Sequence, residues 1–381
     1  MKRLVFFSAI VLAAVRLTLA QQVSSSTVPS VVNVYVESPV DSAQLQPYLK
    51  IIKKHPGSLE GAQAQLAIAM MQYDNRAYSA AVQDFRRVLD DYPRGPHSED
   101  AAYYLISSLI ETHRYSEVID EAKKALSSYP QGKWADASHY LMAKAYYELA
   151  PSTGPVLDDL AITEINSLVA LHPNSGYADD ALALKGQTYK RLQKYDQAIE
   201  AFRTLASTTK DKAYRSGAQL EVGWLYTMKD QYEEAIAEFE RAASGADNDS
   251  VKATAQYHIG FAYLKKGDLE KAKEAFQAVV DRYPSDRLGA HASFRVGYCL
   301  AEQQQYEQAL VQLAKTDAAY PDFEQRDLLL MYKATCHRGL KQVEQEKKVL
   351  QELVSQYPKS SLKAAAENML KDLEEQGSSK Q

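Results

Sequence analysis

Four stretches of the chain share one arrangement of apolar and small positions: Tyr78-x-x-Ala81-x-x-x-Phe85, Tyr195-x-x-Ala198-x-x-x-Phe202, Tyr232-x-x-Ala235-x-x-x-Phe239 and Leu269-x-x-Ala272-x-x-x-Phe276. Spacings of three and four put the three residues on one face of an α-helix. Upstream lies a second arrangement, apolar-Gly-x-x-Tyr, as Val222-Gly223-x-x-Tyr226 and Ile259-Gly260-x-x-Tyr263, with Lys185-Gly186-x-x-Tyr189 and Val296-Gly297-x-x-Leu300 as weaker copies. Two antiparallel helices approach closely where Gly or Ala lies at their crossing, and Tyr and Phe fill the gaps beside it. Each pair of patterns therefore predicts one helical hairpin.

The prolines show how often that hairpin recurs. His55-Pro56, Tyr92-Pro93, Tyr129-Pro130, His172-Pro173, Tyr283-Pro284, Tyr320-Pro321 and Tyr357-Pro358 are separated by 37, 37, 43, 111, 37 and 37 residues, and 111 is three times 37. Each proline closes a second helix, because the residue before it disfavours the α conformation and the ring lacks an N–H. Helix starts at Tyr78, Tyr115, Tyr195, Tyr232, Leu269, Tyr306 and Val343, with a third unit stretched by six residues through Ala150-Pro151-Ser152-Thr153-Gly154-Pro155, make eight hairpins. Leu45–His55 reads as the second helix of a truncated repeat and Leu362–Glu374 as a capping helix. One such hairpin cannot bury its apolar face alone, so neighbours must stack into a continuous core over residues 41–375. Residues 376–381 read as a disordered tail.

The ends differ in kind. Lys2-Arg3, an apolar run from Leu4 to Val15 and Thr18-Leu19-Ala20 have the three regions of a signal peptide, cleaved near Ala20. The run is too short for a good membrane span, and no cysteine follows it to be acylated, so a soluble exported product without stable membrane insertion is expected. Residues 21–40 read as a flexible Ser/Thr-rich arm containing a short β-prone stretch, Val31–Glu37, that either stays mobile or docks on a partner or on the array.

Composition narrows the function. Without Lys2, Arg3 and Arg16, 41 basic residues face 49 acidic ones, and no basic cluster suits a nucleic-acid partner. No Walker loop, G-x-S-x-G elbow or H-E-x-x-H occurs, and Asp247-Asn248-Asp249 lacks the glycine and glutamate of a calcium loop and reads as a turn. The eight histidines share no repeat position, so neither a metal nor a proton relay is expected, and no cofactor is assigned. Cys299 and Cys336, 37 apart, sit at equivalent places on stacked helices roughly 8–10 Å apart, beyond the reach of a disulfide. The chain is read as non-catalytic. Its 26 Tyr against 9 Phe and 2 Trp supply amphipathic rings that either pack helices or line a surface for a partner.

The repeat matches the tetratricopeptide (TPR) pattern of helix pairs. The run Tyr78-Ser79-Ala80-Ala81-Val82-Gln83-Asp84-Phe85, then Asp91-Tyr92-Pro93, then Glu99-Asp100-Ala101-Ala102-Tyr103-Tyr104 resembles the bacterial periplasmic TPR proteins of the BamD and YbgF/CpoB types. The resemblance implies an all-α, right-handed solenoid of about eight hairpins, with a half-repeat first and a capping helix last. It also implies a periplasmic or secreted location and a scaffold or adaptor role in cell-envelope assembly, holding a protein or peptide segment of an envelope complex. The alternative is a ligand-binding accessory to a transport or polysaccharide-export system. In TPR proteins the second, fifth, ninth, twelfth and thirteenth positions of each first helix face the concave groove, which here selects Tyr103, Tyr140, Tyr147, Leu220, Trp224, Tyr257, Phe261, Phe294 and Tyr298. The Lys and Asn that clamp a terminal carboxylate in chaperone-binding TPR domains are absent from the fifth and ninth positions.

A strict period makes the array divisible. Deleting 37 residues in frame, 233–269, should leave a helical protein that melts cooperatively, because every remaining neighbour contact is re-formed. Deleting ten residues from the same place should abolish cooperative melting followed by circular dichroism.

Overall fold

The fold was read from a computed structural model that describes residues 40–93, 95–284 and 288–378; the leader and most of the arm lie outside these. Among the described residues there are 18 helices and no strand. A half-repeat helix α1 (Ser42–Lys54) precedes eight hairpins: α2 (Leu59–Asp74) with α3 (Tyr78–Asp91), α4 (Ser98–Glu111) with α5 (Tyr115–Ser128), α6 (Ala135–Thr153) with α7 (Val156–Leu171), α8 (Ala178–Arg191) with α9 (Tyr195–Thr208), α10 (Lys212–Met228) with α11 (Tyr232–Gly245), α12 (Asp249–Lys266) with α13 (Leu269–Arg282), α14 (Leu288–Glu302) with α15 (Tyr306–Ala319), and α16 (Arg326–Gly339) with α17 (Val343–Gln356). Helix α18 (Lys363–Ser378) closes the array. It runs on to Ser378, into the stretch expected as a tail, because Glu374, Glu375 and Gln376 are good helix formers and no proline stops them. The chain divides into two compact units within the first turn of α12, after Lys252. Within each unit consecutive helices pack together, and first helices also touch the first helix of the next hairpin, as α2 with α4, α4 with α6 and α14 with α16. The first helices are thus the inner layer.

The hairpins are held by a large residue of one helix seated on a small residue of the other. A Cβ added at Gly223 would fall 2.6 Å from the Phe239 ring and one at Gly260 2.8 Å from that of Phe276, so only glycine admits the phenyl group at this separation. Phe239 and Phe276 have no accessible surface. The same places hold Ala69 with Phe85, Gly297 with Leu313, and Ala334 with Leu350. In the second hairpin the sizes are reversed: Ile106 stands on the first helix and Ala122 on the second, both fully buried in one cluster. Combined volume is kept while the partner carrying it changes.

Helix ends follow from local chemistry. Second helices that end at an X-Pro pair stop the same way, with Tyr92, Tyr129, His172, Tyr283, Tyr320 and Tyr357 at φ between −136° and −122° and ψ between 48° and 70°. Thr209 and Ala246, which no proline follows, are instead extended, with ψ of 140° and 138°. The turn inside every hairpin but the third is a Schellman-type reversal; in the second, Arg114 donates to the Leu109 carbonyl and His113 to that of Ile110, whereas in the third Pro155 has no N–H to give. It requires a left-handed residue two places before the second helix. That place holds Arg76, His113, Gln193, Asp230, Gln304 and Lys341, at φ of 56–62°, and glycine only at Gly154 and Gly267.

A carboxylate in the first turn of a first helix ties each of several hairpins to the next. Glu99 accepts the Trp134 N–H at 3.1 Å, Asp136 the Ser175 hydroxyl at 2.7 Å, Asp179 the Thr209 hydroxyl at 2.6 Å, and Asp327 that of Ser360. The helix dipole favours negative charge at that end. The six extra residues of the third hairpin lengthen its helices rather than a loop: α6 has 19 residues, with Pro151 in its last turn, where α4 and α8 have 14.

Two outcomes test this packing. Gly223→Ile alone should cost about 1–3 kcal/mol by overpacking and Phe239→Ala alone about 3–5 kcal/mol by leaving a cavity. The double variant, which copies the Ile106/Ala122 arrangement, should be more stable than the sum of the two by at least about 1 kcal/mol in urea melts. The second outcome concerns His258 on α12, half-buried with its Nδ1 shielded from solvent, whose pKa is pushed by burial of the ring from 6.5 to about 4. The unfolded chain takes up this proton near pH 6.5 and the native state only near pH 4, so the contribution is full above 6.5, falls through that window and levels off below it. The gap corresponds to about 3 kcal/mol. Subtracting the pH–stability profile of His258→Gln from that of the native chain should isolate this step.

Candidate functional site

In the N-terminal unit the inner layer carries a connected set of aromatic rings. Tyr103 on α4 lies flat against Trp134, with centroids 4.0 Å apart and planes 6° apart, and its hydroxyl is 3.0 Å from that of Tyr177. Tyr177 stacks in turn on Tyr140 of α6 at 5.1 Å. Tyr104 links Tyr103 edge-on to Tyr73 of α2, at 5.0 and 5.1 Å. Carboxylates fix the polar ends: Trp134 Nε1 donates to Asp100 Oδ1 at 2.8 Å, Lys133 pairs with the same oxygen at 2.6 Å, and the Tyr214 hydroxyl donates to Asp180. Burial, then the charge of Asp180, pushes the Tyr140 hydroxyl up to about 12, and burial raises those of Tyr147 and Tyr177. These phenols are neutral at physiological pH.

The rings come from two sources. Tyr103 and Tyr140 are fifth-position residues of first helices, as the repeat register predicts. Trp134 and Tyr177, which the sequence reading did not select, immediately precede α6 and α8. They are 43 residues apart, the interval that separates Pro130 and Pro173, so the repeat did contain the signal. The turn of one hairpin thus lays a ring on the fifth-position ring of the hairpin before it. Tyr147 lies under the Arg191 guanidinium, 3.7 Å from the ring centre, and Arg191 is held in turn by the buried carboxylate of Asp158. Leu220 and Trp224, four residues apart on α10, are half-buried like Tyr103, Tyr140 and Tyr147.

The C-terminal unit treats its four selected residues differently. Tyr257, Phe261, Phe294 and Tyr298 are only 8%, 6%, 0% and 9% exposed. Tyr257 packs on Phe276 at 5.3 Å, Phe294 on Phe323 at 5.7 Å and Tyr332 at 5.9 Å, and Tyr298 edge-on to Tyr332 at 5.0 Å. Here the first helices bring large rings together, Tyr332 on α16 against those of α14, and the rings fill the space between helices where an open aromatic stripe was expected.

Reactive chemistry is sparse among the described residues. No group of three or more His, Cys, Asp or Glu side chains could hold a metal. Cys299 and Cys336 are free and buried, and burial pushes both thiols up to about 12, which leaves them protonated and poorly nucleophilic. Asn248 Oδ1 accepts the Ser250 N–H at 2.8 Å, a local turn contact at the start of α12. An open groove of about 620 Å³ lies between α9 and α10 in the N-terminal unit, and two of its charges, Arg203 and Lys229, are already paired with Glu238 and Asp196. No described helix is long and apolar enough to cross a membrane.

Comparison with known proteins agrees with this architecture. Residues 61–205 match the YfiO family model, described as an outer membrane lipoprotein, and residues 183–251, 254–286 and 329–360 match tetratricopeptide-repeat models. No curated protein sequence matches the chain. Among solved structures, the C-terminal part of a TPR repeat-containing protein from Cytophaga hutchinsonii is 16% identical with a TM-score of 0.54, the match covering 69% of this chain and 98% of that one. A tetratricopeptide repeat protein from Parabacteroides merdae is 17% identical with a TM-score of 0.44, over 76% and 99% of the two chains. The chain is an all-α tetratricopeptide-repeat solenoid that over residues 61–205 resembles the YfiO outer membrane lipoprotein family.

Proposed function

We propose that the chain is a non-catalytic adaptor of the cell envelope, exported to the periplasm, whose N-terminal unit binds a segment of a partner protein across Tyr103, Tyr140, Tyr147, Leu220 and Trp224. The observation that carries this reading is the half-buried ring assembly of Tyr103, Trp134, Tyr177 and Tyr140, fixed by stacking and by hydrogen bonds before any partner arrives. Rings held this way present wide amphipathic area with little rotamer entropy left to lose, which favours binding of an apolar helix or extended segment. The match to an outer membrane lipoprotein family falls on the helices that carry these rings and supports the envelope setting. Tyr257, Phe261, Phe294 and Tyr298 then support the array from within.

The test places a photoreactive benzoylphenylalanine at Tyr140, at Trp224 and, as a control, at exposed Leu171 in the last turn of α7. Irradiation in the host cell should give one discrete protein adduct from the first two positions and none from the third. With the isolated partner, Trp224→Ala should weaken binding by roughly 2 kcal/mol or more, as a central aromatic anchor does, and leave the melting temperature nearly unchanged. Adducts from Leu171 alone would place the binding surface on the second helices, and no adduct from any position would favour a small-ligand accessory.

A further inference from the structure

The C-terminal unit contains a buried cation that, among the described residues, forms no ion pair. Arg295 on α14 is 3% exposed, and its Nη1 is buried without a hydrogen-bond partner. The groups around it are aromatic and phenolic: its guanidinium lies 5.8 and 5.7 Å from the ring centres of Phe294 and Tyr298, and the phenols of Tyr257 and Tyr332 are near enough to act on its charge. Tyr298 packs edge-on against Tyr332, with ring centres 5.0 Å apart. No carboxylate pairs with it. Glu302, on the same helix face two turns further along, is not within ion-pair distance of it, although its charge acts on Tyr298 and Tyr332. The other buried carboxylates in these helices show the usual solution: Glu346, 2% exposed on α17, takes Arg338 Nε at 2.6 Å.

An ionised group taken out of water without a counter-charge costs several kcal/mol, and a guanidinium cannot escape that cost by losing its proton. Phenol oxygens and ring faces offset part of it. The remainder calls for an anion. We propose that Arg295 anchors a subsite for one carboxylate, an aspartate or glutamate side chain of a bound segment, walled by Tyr257, Tyr298 and Tyr332. A single guanidinium neutralises a single charge, which fits a carboxylate and not a phosphate dianion. Nη1 has no surface of its own, so entry requires a tyrosine ring to swing aside; Tyr298 is the most exposed of the three. The subsite is separate in residues and chemistry from the aromatic assembly of the N-terminal unit.

The full chain, labelled with ¹⁵N-arginine, is titrated with N-acetylglutamate amide, N-acetylglutamine amide and N-acetylglycine at constant ionic strength. The Arg295 side-chain resonance is identified by its loss in Arg295→Met. N-acetylglutamate amide should shift that resonance saturably and raise the melting temperature by at least about 2 °C, and the neutral glutamine compound should do neither. The rise in melting temperature should vanish in Arg295→Met and need at least tenfold more ligand in Arg295→Lys, which keeps the charge and loses the fork, and both effects should persist in Trp224→Ala. Without added carboxylate, Arg295→Met should melt no lower than the native chain, since it removes an uncompensated charge. Tighter binding of N-acetylglycine would overturn the assignment to a side chain in favour of a terminal carboxylate. Absence of a saturable shift in the native chain, with no rise in the melting temperature of either the native chain or Arg295→Lys, would overturn the subsite altogether and leave Arg295 as a packing residue of the tyrosine cluster.

Discussion

Everything in this protein depends on how closely the two helices of a hairpin can approach. Where Gly223 faces Phe239, or Gly260 faces Phe276, the absent side chain is the space the ring occupies. A bulky residue on both sides would push the helices apart and shift every downstream hairpin, because each is positioned only by its neighbours. The Ile106/Ala122 hairpin shows that the constraint is on combined volume and not on residue type. Cores tolerate such exchanges when volume and pattern are kept.

Close approach fixes the hairpin, and polar contacts at its ends set its place in the stack. The carboxylates of Glu99, Asp136, Asp179 and Asp327 lie where the helix dipole favours them and where the turn of the next hairpin offers an N–H or hydroxyl. They serve helix capping and repeat-to-repeat register together. The left-handed turn residues illustrate the opposite balance. Arg76, His113, Gln193, Asp230, Gln304 and Lys341 hold a conformation that disfavours them by about 1 kcal/mol each, and the hydrogen bonds and packing of the surrounding reversal keep them there.

The same stacking generates the candidate surfaces. First helices lie side by side in the inner layer, so a fifth-position ring meets whatever the next turn delivers. In the N-terminal unit the turn delivers Trp134 and Tyr177, and the rings are left partly open with their polar ends satisfied. In the C-terminal unit Phe323 and Tyr332 meet Phe294 and Tyr298, and the rings close over one another and over a guanidinium. Equivalent repeat positions thus become a surface in one unit and an interior in the other.

The amino-acid sequence by itself determined the repeat, its period, the eight hairpins, the half-repeat and capping helices, and the first residue of seven second helices. These rest on local physics that a linear chain displays: helical spacing of apolar residues, glycine at a crossing, proline after a helix end. It also displayed the unbonded state of Cys299 and Cys336, which follows from their equal places in neighbouring repeats. Only the tertiary structure decided which aromatic residues are exposed. Tyr140 and Tyr257 both occupy the fifth position of a first helix, and what separates them is the size and direction of rings tens of residues away. It alone absorbed the six extra residues of the third hairpin as helix, and it alone buried Arg295 among aromatic rings without an ion pair to any described residue. Both outcomes depend on which side chains meet across stacked repeats, a relation that the order of residues along the chain does not carry.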